Sequence, residues 1–412
     1  MARLSLRRNM SYMLAGNVMY ALSQWGIIMV LAKLGSPAMV GGFTLGLAVT
    51  APIILIFDLQ LRSVLATDTK NEYSFQHYLT LKGIMSLIAV CFLGIVILIG
   101  GYHGPTALVI FLIGIAKVIE SIIELHYGLF QKHERMDMIA KSLIIRGSLS
   151  LVILAALLAV TNSLLLAVIG YTLTWIVLLI FLELKKAKQF IETRKVASID
   201  YTIVKKLFLT SFPLGIVMMM ISLYTNIPRY AIEQISGTEA LGFFSAIFYI
   251  ITAGNLVINA IGQSISPRLA SHYSKQEYPM FTKLLSKFVL AGFAYGLVGI
   301  LLTLLIGKQV LGVIYTQEYM QYHSLFVLLM IAGTFMYAGS FLGFALTAMR
   351  KFSIQPYLSA IWVLATIVLS IMIIPAYGLT GAAIVTIITT AIQQLTLFFA
   401  VIGYLSKEKK TF

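Results

Sequence analysis

Charge is scarce in this chain. Asp, Glu, Lys and Arg make up 11% of its 412 residues, where soluble domains carry about 25%. Acidic residues are scarcest, 15 against 30 Lys and Arg. There is one cysteine, Cys91, inside an apolar run, so an intrachain disulfide is excluded. The six histidines are scattered, and no Cys/His grouping has metal-ligand spacing. No G-x-x-x-x-G-K-[ST] phosphate cradle is present, and no Ser/His/Asp or H-E-x-x-H constellation. Nucleotide hydrolysis and metal-assisted chemistry are therefore not expected, and no cofactor is called for. Loops large enough to hold a catalytic or acceptor site for glycan assembly are missing as well.

What fills the chain is apolar. Residues of the AVILMFWYC set make up 59%, and the mean hydropathy is +0.94. A soluble protein of this composition could not cover its surface, and disorder is excluded for the same reason. An all-α polytopic membrane protein is the expected class, because only a helix satisfies its own backbone in hydrocarbon and about 20 apolar residues span the core. Apolar runs predict twelve spans, at 11–34, 38–57, 79–100, 106–130, 138–160, 164–184, 207–232, 240–265, 284–306, 324–349, 356–374 and 379–405. The first run follows Arg3, Arg7 and Arg8, but is too long for a signal-peptide core and is read as a retained span.

The net charge of +15 would suggest nucleic acid in a soluble protein. Its distribution points elsewhere. Of the 30 Lys and Arg, 25 fall at the two termini or in connections after even-numbered spans, and only Lys33, Arg229 and Lys308 in those after odd-numbered spans. This is a positive-inside bias. It predicts both termini in the cytoplasm and accounts for the charge without nucleic acid. The longest inward connection divides the chain into an N-terminal six-helix lobe (1–184), a cytoplasmic linker (185–206) and a C-terminal six-helix lobe (207–412). A faint internal match supports a parallel repeat: span two opens on PAMVGGF at 37–43 and span eight on TEALGFF at 238–244, and each leads to an arginine, Arg62 or Arg268. Such repeats commonly place a substrate path between the halves.

Charges at membrane depth are costly and mark candidate sites. Lys117, Glu120 and Glu124 lie at i, i+3 and i+7 on one face of span four, and Arg146 lies in span five. Glu124 and Arg146 are each eleven residues from Arg135 at the hairpin turn, at similar depth, roughly 10 Å inside the boundary. An ion pair between them is predicted. Two readings stand: charges that neutralise one another and lock the hairpin, or a cationic wall, suited to a pyrophosphate headgroup, with a carboxylate that takes a proton or cation. Polar stripes occur at Asn17, Tyr20 and Gln24 in span one and at Asn255, Asn259 and Gln263 in span eight. They read either as interhelical hydrogen bonding or as the wall of a hydrated cavity that meets sugar hydroxyls. Asp58 and Arg62, at i and i+4, read as an interfacial pair, and Arg229, four residues before Glu233, as a snorkelling side chain. Pro52 and Pro213 lie within spans and are expected to bend them.

Several stretches together resemble the Wzx-like polysaccharide flippases of the multidrug/oligosaccharidyl-lipid/polysaccharide (MOP) exporter superfamily. They are GNVMYALSQW at 16–25, LQLRSVLATD at 59–68, KHERMD at 132–137, SPRLA at 266–270 and YGLTGAA at 377–383. The resemblance spans the whole chain. It implies a MATE-like fold, two six-helix lobes around a central cavity; in this chain Lys117 and Arg146 would be the central cations, with Arg62 and Arg268 at the cytoplasmic rim. It further implies alternating access, with the glycan in the cavity and the prenyl tail in the bilayer.

The expected function is translocation of undecaprenyl-pyrophosphate-linked oligosaccharide across the bacterial cytoplasmic membrane, for capsule, exopolysaccharide or O-antigen synthesis. The expected partners are that lipid-linked oligosaccharide, membrane lipids and a polysaccharide polymerase, with H+ or Na+ as coupling ion at Glu120 or Glu124. The alternatives are a cation-coupled multidrug antiporter of the same superfamily, which would want a net acidic or aromatic cavity, and a glycan polymerase or ligase.

Overall fold

The computed structural model describes residues 6–68, 72–190 and 200–410. The part of the expected linker at 191–199, with Arg194 and Lys195, lies outside the described residues, as do Arg3 and Lys70.

The chain is helical throughout the described residues. Ten of its helical stretches are long and apolar enough to cross a membrane, with mean hydropathies from 1.4 to 2.5. Many large apolar side chains point outward, among them Leu98, Ile99, Phe181, Leu305 and Met372. On a water-soluble surface such a band would aggregate; here it is the face offered to lipid. The protein is a multi-pass membrane protein.

Two compact units are present, Met1–Ser222 and Leu223–Phe412. The first begins with α1 (Leu6–Leu34), α2 (Pro37–Asp58) and the short α3 (Leu61–Thr67). α4 (Phe75–Ile99), α5 (Gly104–Lys132), α6 (Met136–Thr161) and α7 (Leu164–Leu178) follow. A π turn, Leu179–Glu183, joins α7 to α8 (Leu184–Ala187). Local chemistry sets several of these boundaries. Ser36 caps α2 by accepting from the Met39 amide, with Pro37 in the first turn, where its missing N–H costs nothing. Ser74 and His77 close a reciprocal capping box on α4, and Ser163 caps α7. α2 ends because Leu59 and Gln60 take left-handed backbone angles, φ 55° and 52°; this re-aims the chain before α3.

α1 packs along α6, and α5 touches α2, α3, α4 and α7, which makes α5 the central element of this unit. Small residues allow the close approaches. A Cβ on Gly16 would stand 2.7 Å from the Ala140 backbone, and one on Gly147 would meet Ser23 and the Tyr20 backbone. One on Gly128 would meet the Arg62 backbone at 3.0 Å.

α9 runs Tyr201–Ser274, 74 residues, and α12 runs Gln355–Lys410, 56 residues. At 1.5 Å per residue a straight α9 would reach about 110 Å, against a hydrocarbon core of about 30 Å. Each is broken once, at Gly237 (φ 84°) and Gly378 (φ 53°), conformations that glycine adopts without strain. The breaks fall between the spans expected at 207–232 and 240–265, and at 356–374 and 379–405. Between α9 and α12 lie α10 (Tyr278–Ile314) and α11 (His323–Ala348). In the second unit buried tyrosine hydroxyls tie helices to backbone carbonyls: Tyr315 donates to Ala246 at 2.7 Å and Tyr337 to Ile251 at 2.8 Å. Trp362 donates to Thr396 at 2.9 Å.

Candidate functional site

The inward face of α5 carries Lys117, Glu120, Glu124 and Tyr127. Their spacing stacks them along one stripe, and α1, α3, α6 and α7 bring partners to it. Glu120 accepts from Lys117 Nζ at 2.7 Å and from the Tyr20 hydroxyl at 2.8 Å. Arg146 Nη2 lies 3.3 Å from Glu120 Oε1 and 3.9 Å from Glu124 Oε1. Glu124 is held more closely by Arg62 Nη1, whose guanidinium also donates to Gln131 at 3.3 Å. The predicted Glu124–Arg146 pair therefore exists, but as the long contact in a five-membered network of three cations and two carboxylates.

Arg146 is 1% exposed. Its guanidinium stands 4.6 Å from the Tyr20 ring, 4.7 Å from Trp175 and 5.7 Å from Tyr127. Three aromatic rings around a desolvated cation are favourable. None of its side-chain nitrogens makes a hydrogen bond, so its donor capacity is unspent although its charge is balanced. Trp175 is fixed in turn by donating to Ser150 at 2.8 Å. Lys117, 5.6 Å from the Trp175 ring, and Arg62, 5.6 Å from the Tyr127 ring, are about a quarter exposed. The network thus has a buried cation behind two accessible ones.

Below it lies a second buried group that the sequence did not suggest. Lys82, which reads from sequence as a connecting-loop charge, is 2% exposed on α4. It donates to the Asp58 carboxylate and to Ser121 Oγ, both at 2.7 Å, and Ser121 donates to Asp58 at 2.6 Å. This corrects the expected Asp58–Arg62 pair. The i, i+4 relation requires continuous helix, and the left-handed Leu59 and Gln60 interrupt it. Asp58 turns to Lys82, and Arg62 turns to Glu124.

The polar stripes separate. Tyr20 joins the charge network, Gln24 is half-buried with its amide nitrogen unbonded, and Asn17 is exposed. In the second unit Asn255 accepts from Ser340 at 3.3 Å, which is the interhelical bonding reading. Asn259 is half-buried, and Gln263 and Arg268 are exposed. Arg229 does not snorkel. It donates to Asn226 at 2.7 Å and lies 5.3 Å from the Phe248 ring, in a cleft shared with Tyr224, Thr386, Thr389 and Thr390. Those partners hold it inside the unit, although its buried Nε makes no hydrogen bond.

Among the described residues no group of three or more His, Cys, Asp or Glu is placed to hold a metal ion. Residues 6–273 match the family model described as "Polysaccharide biosynthesis protein". The chain belongs to that family. It is 29% identical to the capsular polysaccharide biosynthesis protein CapF of Staphylococcus aureus over 405 residues, 98% of this chain and the whole of CapF. Its fold is that of the MOP superfamily transporters. An inward-facing multidrug resistance MATE family transporter matches with a TM-score of 0.76 at 13% identity, over 97% of this chain and 99% of that one. A MOP superfamily transporter from Pyrococcus furiosus, described as having a binding pocket of reverse polarity, matches with a TM-score of 0.66 at 13% identity, over 97% and 94%. The chain is thus a member of the polysaccharide biosynthesis protein family with the fold of these transporters.

Proposed function

We propose that this protein is a flippase that carries an undecaprenyl-pyrophosphate-linked oligosaccharide across the bacterial cytoplasmic membrane by alternating access. The observation that carries this reading is the cation excess on α5 and its neighbours. Lys117, Arg62 and Arg146 gather around the two carboxylates of Glu120 and Glu124, and the guanidinium of Arg146 has no hydrogen bond. An anionic pyrophosphate is the complement of such a group: Arg offers paired donors to phosphate oxygens, and Lys117 adds a point charge. Tyr20 and Gln24 extend the same side of α1 with groups suited to sugar hydroxyls, and Asn17 lies one turn further along.

In this reading the breaks at Gly237 and Gly378 divide α9 and α12 into two crossings each. The chain then crosses twelve times, with both termini in the cytoplasm, and the six-helix lobes 1–184 and 207–412 alternate access. A polymerase receives the product on the outer face. Reporter fusions at residues 190 and 410 should both score cytoplasmic.

The test is mass spectrometry of prenyl-linked lipids from cells that lack the gene. A build-up of completed prenyl-pyrophosphate oligosaccharide with loss of polymer supports the reading and identifies the sugar. An unchanged lipid pool with normal polymer overturns it and points to cation-coupled drug export by the same fold.

A further inference from the structure

The network around Arg146 leaves one buried carboxyl unused. α7 passes into the π turn Leu179–Glu183 before α8 continues the helix. A π turn inserts one residue into a helix, costs good hydrogen-bond geometry, and recurs at functional positions. Here it ends on Glu183, which is wholly buried. Glu183 Oε1 accepts from Ser142 Oγ of α6, and Ser142 is bonded to the Tyr127 hydroxyl of α5 at 2.6 Å. Glu183 Oε2 is buried and has no hydrogen-bond partner. Among the described residues no cationic nitrogen lies within ion-pair distance of Glu183.

The contrast with the neighbouring carboxylates is chemical. Glu120 is matched by Lys117 and Arg146, and Glu124 by Arg62 and Arg146. Glu183 has a single donor, from a neutral hydroxyl. The groups that act on it from the packed elements are Tyr127 and Glu124 on α5, Arg146 on α6 and Lys186 on α8. Arg146 is shared between two other carboxylates, Glu124 repels a second negative charge, and Lys186 attracts Glu183 only from beyond ion-pair distance. A buried anion with one vacant oxygen is far costlier than a neutral acid of the same shape.

We propose that Glu183 is a proton-binding site of the transport cycle. In the conformation described here the carboxyl carries its proton on Oε2. The proton passes to water at the α8 end of the helix when Ser142 and Tyr127 shift with the Arg146 network, which leaves the carboxylate to draw in Lys186. The π turn is what lets the side chain enter the helix packing, because an unbroken α7 would rotate residue 183 by about 100°. The chain Tyr127–Ser142–Glu183 couples this site to the ring around Arg146 whatever molecule that ring handles.

The test is infrared titration of the purified protein in lipid nanodiscs, beside Glu183→Gln and Ser142→Ala. The wild type is expected to show a protonated-carboxyl C=O band at neutral pH that Glu183→Gln removes and Ser142→Ala shifts in frequency. Glu183→Gln mimics the protonated acid, so it should keep the wild-type melting temperature yet flatten the pH profile of transport. A carbonyl region identical in the wild type and Glu183→Gln would overturn the proposal, and so would a Ser142→Ala band at the wild-type frequency. The infrared readout does not depend on the transported molecule, so its failure is separable from failure of the flippase reading.

Discussion

Replacing Glu120 by Gln probes the charge network at its most connected point. Glu120, 17% exposed, is approached by Lys117 at 2.7 Å, the Tyr20 hydroxyl at 2.8 Å and Arg146 at 3.3 Å. Removing one member of a buried ionic group costs about 3–5 kcal/mol, because the remaining charges lose their compensation without regaining water. The partial exposure of Glu120 and Lys117 places this case at the lower end, about 3 kcal/mol. Lys117→Met alone leaves Glu120 with Arg146 and Tyr20, and should cost about 1–2 kcal/mol. The double variant removes the anion together with one cation, so its loss should fall short of the sum of the singles by about 1.5 kcal/mol. Reversible unfolding in detergent, followed by tryptophan fluorescence, measures this; Trp175 lies against both Arg146 and Lys117 and reports the site. Singles that add to within about 0.5 kcal/mol would show that Glu120 and Lys117 act independently, which residues in one network do not.

Three further perturbations follow from the same contacts. Glu124→Arg sets a guanidinium against both Arg62 and Arg146 and should lower stability in the same unfolding assay; adding Arg62→Glu should recover part of that stability but not transport, because the Arg62 cation is lost. Lys82→Met should destabilise the protein by about 3–5 kcal/mol in the same unfolding assay by stranding Asp58, and adding Asp58→Asn should recover part of the loss. Gly128→Leu forces a side chain into the Arg62 backbone at 3.0 Å; it should cost about 1–3 kcal/mol and lower transport by displacing Arg62 from Glu124, seen as a reduced polymer yield in complemented cells.

Helical spacing alone placed Lys117, Glu120 and Glu124 on one face, and hairpin symmetry brought Arg146 to their depth. Both are local geometry, so sequence suffices for them. The spacing of Asp58 and Arg62 misleads because it presumes a helix that Leu59 and Gln60 end, and neither residue type announces a left-handed backbone. Lys82 was hidden by a boundary: the capping box at Ser74 starts α4 at Phe75, a full turn before the apolar run at 79, and so carries the lysine into the packed interior. Tyr127 was within reach of the same stripe, three residues beyond Glu124, but an aromatic residue in an apolar helix gives no signal of its partner. The ring of Tyr20, Tyr127 and Trp175 joins three helices distant in sequence, and only packing shows it. Glu183 sits at the edge of a basic segment and reads as solvated until the π turn rotates it inward.

In the proposed function the Arg62, Lys117 and Arg146 face handles an anionic lipid-linked glycan during its passage across the membrane. Its most direct measurement is leaflet exchange in proteoliposomes loaded with the prenyl-pyrophosphate oligosaccharide recovered from gene-deleted cells, scored by a membrane-impermeant glycan-cleaving reagent. Wild-type protein is expected to expose the inner-leaflet glycan to the reagent, while Arg146→Met and Arg62→Met leave it protected as in protein-free vesicles. Equal exposure with wild type and with both variants, or protection with wild type itself, would contradict it.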